Sequence, residues 1–123
     1  NEFNALQDVL NKTALKHNPA NQNYWLLPPE HLNYWTMASF KKFLNNCGFK
    51  VVYSTVDFPM EFFPLMGEDY VSFPEKGRGA HLKRVCFEKY LKEAKAYDLK
   101  DKLFESFAKA GIGRTLQVLA TPK

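Results

Sequence analysis

Apolar residues recur at helical spacing in four stretches of the chain and cluster as strands in two. Leu6, Val9, Leu10 and Ala14 share one side of a helix over about 4–16, which Asn4 can cap and which dissolves at His17-Asn18-Pro19. Thr36 offers a second N-cap, and Met37, Phe40, Phe43, Leu44 and Cys47 make the stripe of a helix over 36–47. Gly48 then stands where a left-handed C-cap is wanted. Leu82, Val85, Cys86, Tyr90, Leu91 and Ala94 form one side of a helix over about 80–97. Leu99, Leu103, Phe104 and Phe107 do the same over 98–110. The β-branched and aromatic run from Phe49 predicts a strand over about 49–57, and the run before Ala120 predicts another over about 114–121.

The connections differ in character. Ala20 to Trp35 is rich in Asn, Pro and aromatics and has no period, so it is an ordered loop of a length that often carries function. Phe58 to Met66 is apolar and punctuated by proline, which fits either a short helix or a buried loop, in the core or at an interface. Gly67 to Gly79 is a loop by its glycines and Pro74. Two strands alone make a marginal sheet, so the pair is expected to lean on a larger one.

Composition adds bounds. A chain of 123 residues, 46% hydrophobic and 24% charged, suits one compact domain. Lys and Arg exceed Asp and Glu by 17 to 13, but the excess is dispersed into Lys41-Lys42, Lys83-Arg84 and Lys100 to Lys102, without the basic stripe that nucleic-acid binding needs. Cys47 and Cys86 fall among residues that read as buried helix faces, so free thiols are expected rather than a disulfide. The apolar stretches are too short to span a membrane or serve as a signal peptide, and the cytoplasm is the expected compartment. The chain opens on Asn1 rather than Met, which leads to the expectation of sequence upstream.

Several chemistries lack their residues. Gly77-Arg78-Gly79 and Gly111-Ile112-Gly113 have no third glycine at nucleotide-loop spacing, the second pair precedes a strand instead of following one, and both read as turns. His17, His31 and His81 are scattered, neither cysteine has a CxxC partner, and no nucleophile elbow is present.

A resemblance goes further. His31-Leu32-Asn33-Tyr34-Trp35-Thr36, a capped helix, and Cys47-Gly48-Phe49-Lys50-Val51-Val52 follow one another as do the loop, helix and sixth strand of class I S-adenosylmethionine-dependent methyltransferases. Asn1-Glu2-Phe3-Asn4-Ala5-Leu6-Gln7 is similar to the stretch after that family's fifth strand, and Thr115 to Ala120 to its antiparallel seventh. The resemblance implies an α/β, helix-rich C-terminal part of a Rossmann-like methyltransferase, with the two strands as an antiparallel pair. Residues 1–66 and 111–123 would be family-like core elements and 67–110 a helical insertion or cap. S-adenosylmethionine would be held by an N-terminal cofactor-binding half, since the glycine-rich loop and acidic residue that hold it are not in this sequence; the isolated region would be inactive and prone to self-association.

The resemblance places His31 toward the reaction centre, where an imidazole can accept the acceptor's proton; a loop histidine bonded to backbone is the plain alternative. Tyr24, Trp25, Tyr34 and Trp35 flank it and can line a pocket for a small-molecule acceptor or pack in the core. His81 and Arg84 lie one helical turn apart, and Arg84 can hold an acidic group or pair with Glu88. The rival reading is a non-catalytic module that binds RNA or a protein partner through the aromatic loop.

Overall fold

The computed structural model describes residues 3–123 and is mixed α/β, with five α-helices and a two-stranded antiparallel sheet. Asn1 and Glu2, on which the opening match begins, lie outside the described residues. The order is α1 (Ala5–Lys12), α2 (Met37–Asn46), β1 (Phe49–Val56), α3 (Phe62–Leu65), α4 (Gly77–Glu93), α5 (Tyr97–Lys109) and β2 (Leu116–Pro122), with short 3-10 turns at Pro19–Asn21 and Pro74–Lys76.

The caps explain where helices begin. Asn4 Oδ1 accepts from the N–H groups of Leu6 and Gln7 at 3.0 and 3.1 Å, while the buried Gln7 side chain accepts from the Asn4 N–H at 3.0 Å. This capping box satisfies donors that the first turn would otherwise leave bare. Thr36 and Ser39 form the same device on α2. α1 stops at Lys12 instead of running to 16, and the chain turns so that the Leu15 N–H reaches Leu10 O at 2.9 Å and both leucines are fully buried. Gly111, at φ +72°, ends α5 with the Ile112 N–H bonded to Phe107 O at 3.0 Å, the bond that a left-handed residue after a helix permits.

β1 and β2 pair from Phe49 opposite Pro122 to Val56 opposite Leu116, with a bulge between Val51 and Tyr53. Met37 of α2, Val56 of β1 and Ala108 of α5 form a buried cluster, and Phe107, Leu116 and Val118 pack against it. A second apolar group centres on Phe58, whose ring lies 5.5 to 6.3 Å from those of Phe62, Phe63, Phe87 and Phe107. The segment left open as helix or buried loop is both: α3 is short, and Pro59, Glu61, Phe63 and Pro64 around it are buried.

Several expectations are corrected. Gly77-Arg78-Gly79 is not a turn but the first turn of α4, which the Pro74–Lys76 turn feeds directly. The apolar side of α4 is not its packed side: Leu82, Val85 and Tyr90 are 52%, 40% and 64% exposed, whereas Ala80, Arg84, Phe87, Glu88 and Leu91 face inward. Periodicity selects the apolar stripe, yet the surface that α4 meets includes charged partners, so the inward stripe contains an arginine and a glutamate. For the same reason Cys86 is exposed, and Cys47, at the end of α2, is exposed too; both are free thiols. Leu99 of α5, expected in its helix's apolar stripe, is 58% exposed.

The strand pair closes at one tight point. Gly113 is buried at φ +95°, and a Cβ there would sit 2.6 Å from Val56 Cγ2 and 2.7 Å from Asp57 O. Replacing Gly113 with Ala adds both a strained backbone and an overpacked contact, and is expected to cost about 2–3 kcal/mol. Urea denaturation of the variant measures this; a change under about 0.5 kcal/mol would show that the two strands separate there without penalty.

Candidate functional site

The site forms where β1 ends and β2 begins. Asp57 is the first residue beyond β1, and its Oδ1 accepts from the N–H groups of Arg114 and Thr115, each at 2.8 Å. Its Oδ2 accepts from the Thr115 hydroxyl at 2.9 Å, and the Asp57 N–H donates to Thr115 O at 3.2 Å. A carboxylate that receives three donors fixes the direction in which Arg114 leaves the sheet.

Three cavities meet on this knot. The one between the His31 loop and α4 has a volume of about 480 Å³ and is lined by His31, Asp57, Tyr70, His81, Arg84 and Arg114, among others. A second, of about 250 Å³, has His31, Tyr34, Trp35, Arg114 and Thr115 in its walls. A third, of about 400 Å³, runs along the sheet past Asp57, Thr115 and Arg84 to Glu88 and Lys100. Thr115 lines all three, so the end of the strand pair is their common floor.

The residues singled out in the sequence divide into two groups. His31, Tyr34, Trp35, His81 and Arg84 line two neighbouring cavities that share His31, Arg114 and Thr115 in their walls, although they come from a loop and a helix far apart in the chain. The loop is held in place by its own polar contacts: the Leu27 N–H donates to Tyr34 Oη at 2.9 Å, and Asn21 Nδ2 donates to Ser72 Oγ at 2.8 Å. Tyr24 and Trp25 are placed differently. Trp25 is buried, edge-on to Phe3 at 6.2 Å and to Tyr24 at 5.4 Å, and Tyr24 in turn meets Tyr70 edge-on at 6.4 Å. These two rings build the layer behind the cavity instead of its wall, with Tyr70 joining the two.

Asp57, Glu61, Tyr70, Arg114 and Thr115 were not picked out from the sequence. A carboxylate directly after a strand was the available signal for Asp57, and Gly113-Arg114-Thr115 before the last strand was the signal for its partners. Glu61 is fully buried. Burial first, and the Glu61 carboxylate second, push the Tyr24 hydroxyl far above its ordinary pKa, while Arg114 acts in the opposite sense. Burial likewise raises Tyr70, which feels the same Glu61 and Arg114 charges. The electrostatics therefore place a buried acid and an arginine around the two phenols.

Among the described residues no group of three or more His, Cys, Asp and Glu side chains is placed to hold a metal ion, and no helix is long and apolar enough to cross a membrane. Compared with protein-family models, curated proteins and solved structures, the chain matches none.

The raised Tyr24 pKa has a consequence for stability. Its folded value lies above the ordinary 10.0, so the native state favours the neutral phenol. That contribution is fully present below about pH 10 and is lost as the pH rises further, because the unfolded chain releases the proton more easily. Thermal melts from pH 8 upward should show the melting temperature of the wild type falling more steeply beyond about pH 10 than that of Tyr24→Phe. Parallel curves would mean that the Tyr24 hydroxyl is solvated in the native protein.

Proposed function

We propose that this chain is the acceptor-side, C-terminal region of an S-adenosylmethionine-dependent methyltransferase that acts on a small molecule. The observation that carries the reading is the convergence of His31, Tyr34, Trp35, His81 and Arg84 at the carboxyl end of β1. In open parallel α/β sheets substrates bind in the crevice beyond the carboxyl ends of the strands, and β1, read as one strand of such a parent sheet, ends at this site. The described residues offer no glycine-rich loop between a strand and a helix, and the carboxylate that follows β1, Asp57, already accepts from Arg114 and Thr115, so they do not fit the cofactor. In this reading its binding belongs to an N-terminal half.

What this chain would contribute is orientation and proton transfer. Tyr34 and Trp35 give the smaller cavity two aromatic walls against which an acceptor can lie, and Trp35 is itself set by Phe40 and Phe43 at 5.6 and 5.1 Å. Holding a hydroxyl or amine in line with an incoming electrophile supplies much of the rate of such a reaction. His31 reaches both cavities, and its imidazole would take the proton as the acceptor's lone pair forms the new bond.

Exposed apolar residues fit a chain that meets other protein. Leu82, Val85 and Tyr90 on α4 and Leu119 on β2 are open to solvent, and β2 pairs only with β1 among the described residues. In this reading the cofactor-binding half covers part of that surface, and the isolated region self-associates through it.

The test is transfer of a labelled methyl group from S-adenosylmethionine by the native polypeptide to a panel of hydroxyl- and amine-bearing small molecules. His31→Ala should lower the turnover about 10²- to 10⁴-fold with the far-ultraviolet circular dichroism unchanged. Undiminished turnover removes His31 from the proton transfer, and absence of transfer across the panel overturns the reading.

A further inference from the structure

We infer that the cavity between the His31 loop and α4 binds an anionic group of the acceptor, a carboxylate or a phosphate, with Arg84 as its anchor and His81 and His31 beside it. The inference rests on the reading of this cavity as the acceptor site, and it names the chemistry that site would select.

Arg84 is the point of departure. It sits on the inward side of α4 with its side chain 25% exposed, and its Nε is enclosed without a hydrogen-bond acceptor among the described residues. Glu88, one turn on, is its ion-pair partner, yet the Nη1 to Oε1 separation is 3.7 Å, which is too long for a hydrogen bond. The other oxygen of Glu88 is taken by Lys100 at 3.1 Å. A guanidinium carries five donors in a planar fork; here the enclosed Nε–H has no acceptor among the described residues and Nη1 stands too far from Glu88 for a hydrogen bond, so a bidentate anion would supply acceptors that the described residues do not.

The surroundings favour an anion over a cation. His81 precedes Arg84 by one helical turn, and His31 lies across the cavity on the loop, so donors are available from two separate elements. Asp57 is the one carboxylate in that lining, and its oxygens already accept from Arg114 and Thr115. An entering carboxylate or phosphate therefore meets donors in the lining, and competes for Arg84 with Glu88, whose Oε1 stands 3.7 Å away and whose other oxygen is held by Lys100. At about 480 Å³ the cavity has room for that group together with the rest of a small acceptor.

The experiment is a titration of the protein with inorganic phosphate and, separately, with acetate, at constant pH and with ionic strength held by sodium chloride, following the imidazole proton resonances of His31 and His81. Saturable shifts of both histidines are expected with at least one anion, and binding at least about tenfold weaker in Arg84→Gln. Arg84→Lys keeps the charge but loses the fork, and should fall between the two. A response to phosphate alone assigns a phosphorylated acceptor and a response to acetate alone a carboxylate. Should Arg84→Gln fail to fold, His81→Gln serves instead, with weaker binding expected and the His31 shift retained. No saturable shift with either anion overturns the inference, as does unchanged affinity in the variant that folds. Because anion binding needs no methyl transfer, binding without transfer by the native polypeptide overturns the proposed function alone, and His31-dependent transfer without anion binding overturns this inference alone.

Discussion

Three donors converge on the carboxylate of Asp57 at the point where Gly113 lies against Val56, and most of the molecule is arranged around that closure. A two-stranded sheet has little stability of its own, and its register must be pinned at an end. Here the pin is polar on one side and steric on the other: the carboxylate draws the Arg114 and Thr115 amides to β1, and the missing Cβ at 113 allows the approach. α5 delivers Gly113 through the left-handed turn at Gly111, so a helix end, a strand start and the cavity floor are set by the same few residues.

The helices serve that end unequally. α2 and α5 supply Met37 and Ala108 to the core around Val56, while α3 and α4 meet through the Phe58 group of rings. α4 is the unusual element, because it turns Arg84 and Glu88 inward and leaves Leu82, Val85 and Tyr90 outside. Burying charge costs desolvation energy and is tolerated where the charges find partners. Glu88 finds Lys100 of α5, which ties the two helices together, and Arg84 is left facing the cavities.

Legibility in the sequence followed the range of the interactions. Asn4, Thr36, Gly48 and Gly111 are local devices, and they marked element ends to within a few residues. The β-branched runs marked both strands and, with the helical stripes, a mixed helical and strand chain. His31, Tyr34 and Trp35 were visible as polar and aromatic residues in an aperiodic loop. Asp57 and Arg114 were not visible as partners, because 57 residues separate them and no period links them. The packed face of α4 was misread for a related reason: apolar spacing reports which side is apolar, not which side another element covers. Cys86 followed the stripe outward, and Tyr24 and Trp25 went from the loop into the layer behind the cavity.

We propose that this chain supplies the acceptor wall of a site whose cofactor is held elsewhere in the native polypeptide. Calorimetric titration of S-adenosylmethionine into residues 1–123 and into the native polypeptide, side by side, tests it most directly. The account predicts no saturable heat with the region alone and saturable binding with the native polypeptide; a native polypeptide that takes up no cofactor, or cofactor binding by residues 1–123 alone, would contradict it.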